Sequence, residues 1–202
     1  LRNSECLTRR IDTLLDFSRR ERGGRPLAQK SCDLREVLAE AGDCFRIRAR
    51  EKGVKLTVLP GATPLLVSGD RGHLAQVIDN LVDNALKFTP AGGEVTVRGA
   101  VANQVATITV TDTGIGIAPE HLDRVFERFY QADGSSTRAF GGTGIGLAIV
   151  RDLVRRHGGE IKLASQPGQG TTATVALPLQ GREPEAEAAA PGAAADASRL
   201  SA

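Results

Sequence analysis

Residues 80–89 read Asn80-Leu81-Val82-Asp83-Asn84-Ala85-Leu86-Lys87-Phe88-Thr89. Asn80, Asn84 and Lys87 recur at i, i+4 and i+7, which puts them on one face of a helix. Leu74, Val77, Ile78, Leu81, Val82 and Ala85 supply a wide apolar face elsewhere on the wheel, so a helix from an Asp70 N-cap to about Phe88 is expected. Asp83 is assigned to a different face from the Asn pair. An Asn carbonyl is a hard oxygen ligand suited to Mg²⁺, a metal that keeps several waters and needs few protein ligands beside phosphates. Lys87 has the charge to neutralise a phosphate oxygen. Taken alone, the same stripe also reads as a solvated polar face.

Upstream, Asp33 is an N-cap with Glu36 three residues on, a capping box in outline. It opens a helix whose Leu34, Val37, Leu38, Ala41 and Phe45 face a core, ended by Gly53. Val54–Leu59 alternates as a strand. Pro60-Gly61 is a turn, and Leu65–Val67 a short strand. Downstream, Glu94–Val101 and Val105–Thr111 form a hairpin with Asn103 in its turn. Residues 113–143 are Gly-rich, with an apolar patch at Val125, Phe126, Phe129 and Tyr130, and read as a lid. Ile145–Arg156 is a helix; Glu160–Ala164 and Thr171–Leu179 close the fold as a hairpin.

The ends differ from this centre. Leu7, Ile11 and Leu14 form a narrow stripe on a first helix that Gly23, Gly24 and Pro26 stop, and the stripe reads as a bundle seam. From Gly181 the chain is rich in Ala, Pro and Glu and is expected to be disordered. The expected division is a bundle helix over 1–22, a linker over 23–32, one domain over 33–180 and a tail over 181–202.

Composition narrows the classes. The 202 residues are 41% hydrophobic and 25% charged with net charge +2, enough for a core and without a global electrostatic case for nucleic acid. Aromatics at 3% argue against base stacking. No apolar run spans a membrane. Cys6, Cys32 and Cys44 show no paired spacing and fit a reducing, cytosolic setting; all three fall on expected helices, in packing roles. The chain starts at Leu1 and has no Met, so it is expected to be a fragment.

Two glycine clusters stand out: Asp112-Thr113-Gly114-Ile115-Gly116-Ile117 and Gly141-Gly142-Thr143-Gly144-Ile145-Gly146-Leu147. Neither is a P-loop, since no Gly-Lys-Ser/Thr follows. A dinucleotide fingerprint would need Gly at position 147 and a strand before the cluster, and finds Leu147 and polar loop. Glycines at a helix start still favour phosphate, through free N–H groups and the positive dipole end.

Together these segments resemble the sensor histidine kinases. Asn80–Thr89 resembles their N box, Asp112–Ile117 the G1 box, Val125-Phe126-Glu127-Arg128-Phe129-Tyr130 the F box, and Gly142–Leu147 the G2 box. Leu7–Arg19 looks like the second helix of the dimerisation and phosphoacceptor hairpin. The resemblance implies an α/β Bergerat ATP-binding fold, a mixed sheet with three helices on one face, preceded by one bundle helix.

It also implies roles. Asp112 should accept the adenine amino group, a fitting task for an acceptor-only carboxylate. Gly114 and Gly116 should let the backbone pass close to the base, with Ile117 beside them. Asn84 is the implied Mg²⁺ ligand, with Asn80 in support. Lys87 and Arg128 are implied near the phosphates, Phe88 and Phe129 beside the nucleotide. Gly142, Thr143, Gly144, Gly146 and Leu147 should hinge the lid and open the last helix. Asn80, Lys87 and Arg128 form the implied catalytic set.

Gyrase- and HSP90-type ATPases, the alternative class, place a water-activating carboxylate where this chain has Asn80, which is no base at neutral pH. Anti-sigma-type serine kinases lack a hairpin like residues 1–20. The family's phosphoacceptor motif is absent. His73 reads as a solvated helix-start residue, His121 as a surface residue, and His157 as a cation capping a helix end. The implied activity is therefore transfer of the ATP γ-phosphoryl to a histidine outside this chain. The implied partners are the missing hairpin, a response regulator and, at full length, a second copy, with no nucleic acid. The implied location is cytoplasmic, with an inner-membrane anchor in the parent as an option.

Overall fold

Asp33 ends strand β1 (Lys30–Asp33) and caps helix α1 (Leu34–Glu51) in the computed structural model, which describes residues 29–131 and 143–180. Its carboxylate accepts the backbone N–H of Arg35 at 3.0 Å and of Leu65 at 3.3 Å, so one side chain joins the helix start to the segment before the next strand. The Arg35 guanidinium donates to the same carboxylate and, as the largest cause, lowers its pKa to about 2. The capping box closes only in half: Glu36 pairs with Arg71 instead of reaching back.

β1 corrects the linker expectation. Lys30–Asp33 pairs antiparallel with β3 (Leu66–Gly69), and Cys32 opposite Val67 is buried with it. Cys32 is thus a strand residue, not a helical one. Four residues reading Lys-Ser-Cys-Asp carry no visible alternation, so the strand exists only because β3 lies beside it. The expected bundle helix, the C-terminal tail and the lid centre at 132–142 lie outside the described residues.

Helix α2 (Arg71–Phe88) starts at Asp70, whose Oδ1 accepts the N–H groups of Gly72 at 2.9 Å and His73 at 3.1 Å. Helix α3 (Gly146–Arg156) is the third. The main sheet has the order β2 (Lys55–Leu59), β4 (Glu94–Ala102), β5 (Val105–Asp112), β7 (Gly170–Pro178), β6 (Glu160–Gln166). Only β2–β4 is parallel, so the sheet is mixed. Asn103 and Gln104 turn the β4–β5 hairpin at φ 50° and 60°, the primed turn that matches strand twist.

Alternation sorts the two faces. Val95 and Val97, Ala106, Ile108 and Val110, and Ala173, Val175 and Leu177 are buried beneath the helices. Thr96, Thr107, Thr109, Thr111, Thr172 and Thr174 take the other face and are half-buried. β-Branched threonines suit a strand while tolerating water. α1 packs on α2, α2 on α3, and each meets the sheet, which gives the expected three helices on one face.

Candidate functional site

The C-terminus of α2 shows how the polar stripe is held. A helix end leaves its last carbonyls without intrahelical donors. Here Ala85 O receives the Thr89 N–H at 3.1 Å and the Thr89 hydroxyl at 2.6 Å. Leu86 O and Lys87 O receive the Lys52 ammonium at 2.5 and 2.6 Å. Phe88 O receives the Ile115 N–H at 3.2 Å, which ties the helix end to the glycine turn after β5.

Lys87 is half-buried, with Nζ 4.6 Å from the Phe88 ring centroid. Burial pushes its ammonium pKa down; Asp83 opposes that and Arg48 adds to it. Asp83 forms an ion pair with Arg48 of α1. Asp83 therefore faces α1, a different side of the helix from the Asn pair, which meets the start of α3.

Asp112 closes β5 with 8% exposure. Its Oδ1 accepts the N–H of Gly114 at 2.8 Å and of Thr171 at 3.2 Å, and Oδ2 takes neither bond. Burial raises its pKa, and the two amide bonds work against that rise. A Cβ on Gly114 would stand 2.6 Å from Phe88 O, so only glycine lets the turn approach α2 this closely. Gly116 has φ +69° and backs onto Gln166 O, closer than any Cβ is tolerated. Ile117 is half-buried and its N–H donates to Ser165 Oγ at 2.8 Å. Thr171 and Ser165 had no signature in the sequence, because their roles exist only once β6 and β7 lie beside β5.

Asn80 and Asn84 meet the start of α3. A Cβ on Gly146 would lie 3.3 Å from Asn80 Oδ1 and 3.9 Å from Asn84 Nδ2. The Asn80 amide nitrogen donates to Gln76 O at 2.9 Å, which turns its oxygen, a cation acceptor, away from its own helix. Among the described residues no cluster of three His, Cys, Asp or Glu exists to cage a metal. The amide pair accordingly fits a cation that draws its remaining ligands from phosphate and water.

After the glycine turn come one helical turn (Pro119–Leu122) and a 3₁₀ turn (Arg124–Phe126). Phe129 is 68% exposed at φ +62°, and its N–H donates to Gly144 O at 2.9 Å. A positive φ is strained for a bulky aromatic. A Cβ on Gly144 would be 2.7 Å from the Phe129 carbonyl carbon. Arg151 of α3 donates to Phe126 O at 3.0 Å and covers its ring at 5.2 Å, a link the sequence did not reveal. Arg128 and Thr143 are exposed, and Leu147 packs on the core. Gly142 lies outside the described residues.

Two of the histidines, His157 and His73, differ from their expected settings. His157 is buried and uncharged by geometry, since its Nε2 accepts the N–H of Asp70 at 3.1 Å. It still caps α3, through Nδ1 to Leu153 O at 2.7 Å, as a neutral ring. His73 is half-buried, its ring 6.4 Å from that of His157. His121 Nδ1 bonds the Tyr130 hydroxyl at 2.6 Å.

A mixed sheet under three helices, a buried carboxylate at one strand end and an amide pair facing a glycine-opened helix define an ATP-binding α/β domain of the histidine kinase type. Residues 69–181 match the family described as histidine kinase-, DNA gyrase B- and HSP90-like ATPase, and the chain belongs to it. It is 42% identical over 169 residues to histidine protein kinase DivJ of Caulobacter vibrioides, covering 84% of this chain and 28% of that protein. Two solved structures are similar. The mycobacterial sensor histidine kinase MprB has 35% identity, TM-score 0.62, and coverage of 74% of this chain and 97% of that one. ShkA, solved full-length in complex with AMPPNP, has 31% identity, TM-score 0.69, and coverage of 83% and 35%. The chain spans less than half the length of the curated relatives it matches. It is a sensor histidine kinase catalytic, ATP-binding region. No described helix is long and apolar enough to cross a membrane.

Proposed function

We propose that this domain binds ATP with Mg²⁺ between α2, the Asp112–Ile117 turn and the start of α3, and passes the γ-phosphoryl to a histidine outside the chain. The observation that carries the reading is the pair of Asn amides on α2 facing Gly146, with the Asp112–Gly114 turn pinned against the C-terminal end of the same helix at Phe88 O. Asp112 reads the adenine amino group. Asn84, supported by Asn80, holds the cation, which when bound offsets phosphate charge. Lys87 and Arg128 add positive charge at the phosphates, and Phe88 and Phe129 flank the nucleotide. Gly142 and Thr143 complete the hinge formed with Gly144, Gly146 and Leu147.

Transfer rather than hydrolysis follows from Asn80. Its amide is not a base, so no group at that position activates water. The partners proposed are a phosphoacceptor hairpin, a cognate response regulator, and a second copy at full length. The test supplies a separate histidine-bearing hairpin with the 202-residue chain, Mg²⁺ and γ-labelled ATP. Acid-labile, base-stable label on the hairpin is expected. Label released only as free phosphate would identify an ATPase instead.

A further inference from the structure

The last turn of α2 has a gap that its own sequence cannot fill. Leu86 O would look to the N–H of residue 90, but that residue is Pro90, which has none. Lys87 O is stranded as well, because the chain leaves helical geometry at Thr89, with φ −90° and ψ 123°. Both carbonyls sit at the negative end of the helix dipole. One group serves both: the Lys52 ammonium, at 2.5 and 2.6 Å.

Lys52 is itself fixed. It is the C-cap of α1, and its backbone N–H bonds Arg48 O at 3.0 Å. Its side chain is half-buried, a setting in which an ammonium is costly unless it is hydrogen-bonded. The two bonds clamp the peptide that carries Lys87. Resting on the nucleotide-site reading above, we propose that Lys52 is a positioning residue: by capping Leu86 and Lys87 it aims the Lys87 ammonium at the phosphates of the nucleotide. Lys52 itself touches no substrate.

If Lys52 works through Lys87, the two substitutions must be coupled rather than additive. The experiment measures the Kd of ATP·Mg²⁺ by calorimetry for the wild-type chain, Lys52→Met, Lys87→Ala and the double variant, with the melting temperature read beside each. Lys52→Met is expected to weaken ATP about tenfold, the equivalent of leaving one buried acceptor unpaired. In the Lys87→Ala background the same change is expected to add less than about twofold. Lys52→Arg, which keeps a charged donor, is expected to stay within about threefold of wild type. Should Lys52→Met fail to fold, Lys52→Gln takes its place in the same cycle. Losses that multiply fully in the double variant would make Lys52 a merely structural cap and overturn the proposal, as would unchanged ATP affinity in Lys52→Met. A wild-type chain that binds no ATP would overturn the nucleotide-site reading and this inference with it.

Discussion

The Nε2 of His157 accepts the backbone N–H of Asp70 across 87 residues of sequence. An amide N–H only donates, so Nε2 carries the lone pair and Nδ1 the proton, which it gives to Leu153 O. The ring lies against Gly69, where a Cβ would stand 2.5 Å from its Cδ2. One imidazole therefore fastens the end of α3 to the start of α2, the two helices whose other ends frame the site. His157→Ala is expected to cost about 2–4 kcal/mol, from a cavity and an orphaned N–H together. Gly69→Ala is expected to cost about 1–3 kcal/mol by overpacking the same contact. Urea midpoints at neutral pH measure both; a change under about 0.5 kcal/mol in His157→Ala would contradict the clamp.

Asp112→Asn is expected to separate stability from binding. Burial raises the Asp112 pKa, so its ionised form is a burden on the folded state. A raised carboxyl favours the folded protein below its unfolded pKa, and that benefit is lost as pH rises through the folded pKa. Asn removes the charge while its oxygen still accepts Gly114 and Thr171. The apo variant should thus melt at or above wild type at neutral pH, with the advantage fading as pH falls through the raised pKa. ATP should bind about 1–3 kcal/mol more weakly, because a donor now opposes the adenine amino group. Calorimetry against ATP and GTP checks this; equal competition by the two nucleotides in wild type would remove Asp112 from base reading.

Asn84→Ala is expected to abolish Mg²⁺-dependent ATP binding or transfer with little change in fold. Asn84 is half-buried and borders the glycine that opens α3, so its truncation removes a polar group without emptying the core. Nucleotide titrations with and without Mg²⁺ read the effect. Transfer at the wild-type rate would contradict the cation assignment.

Asp33→Ala is expected to cost about 1–2 kcal/mol at neutral pH through loss of the cap. The Arg35 bond depresses the Asp33 pKa from 3.8 to about 2. A depressed carboxyl stabilises the fold above its unfolded pKa and loses that contribution as pH falls toward the folded one. The gap between variant and wild type should accordingly narrow between about pH 5 and 3. A gap constant over that range would place the stabilisation in something other than the ionised cap.

What could be read in advance follows from locality. The Asn80–Asn84–Lys87 stripe, the Asp70 cap and the Asn103 turn depend on neighbours within a few residues, and periodicity exposes them. β1, the Lys52 cap, the Thr171 bond to Asp112 and the Arg151 bond to Phe126 depend on chain brought from far away, and no local pattern marks them. His157 shows the difference within one residue. A helix end and a dipole were visible and pointed to a cation; the Asp70 N–H that requires a neutral ring was not. Asp83 was legible as lying on a different face from the Asn pair, but its partner was not: Arg48 comes from α1, 35 residues earlier.

The 202-residue chain should bind ATP·Mg²⁺ yet gain no acid-labile phosphate by itself. Phosphoryl transfer needs an imidazole nitrogen that reaches the γ-phosphorus, and each histidine of the chain already has a structural partner in this fold. His157 uses both ring nitrogens, on Asp70 N–H and Leu153 O. His121 Nδ1 is taken by the Tyr130 hydroxyl. His73 Nδ1 is buried, 3.7 Å from Asp70 Oδ2. Incubation with γ-labelled ATP, followed by acid and base treatment, decides the matter. Stoichiometric label that acid removes and base spares, on the 202-residue chain alone, would mean that one of these three rings is the acceptor.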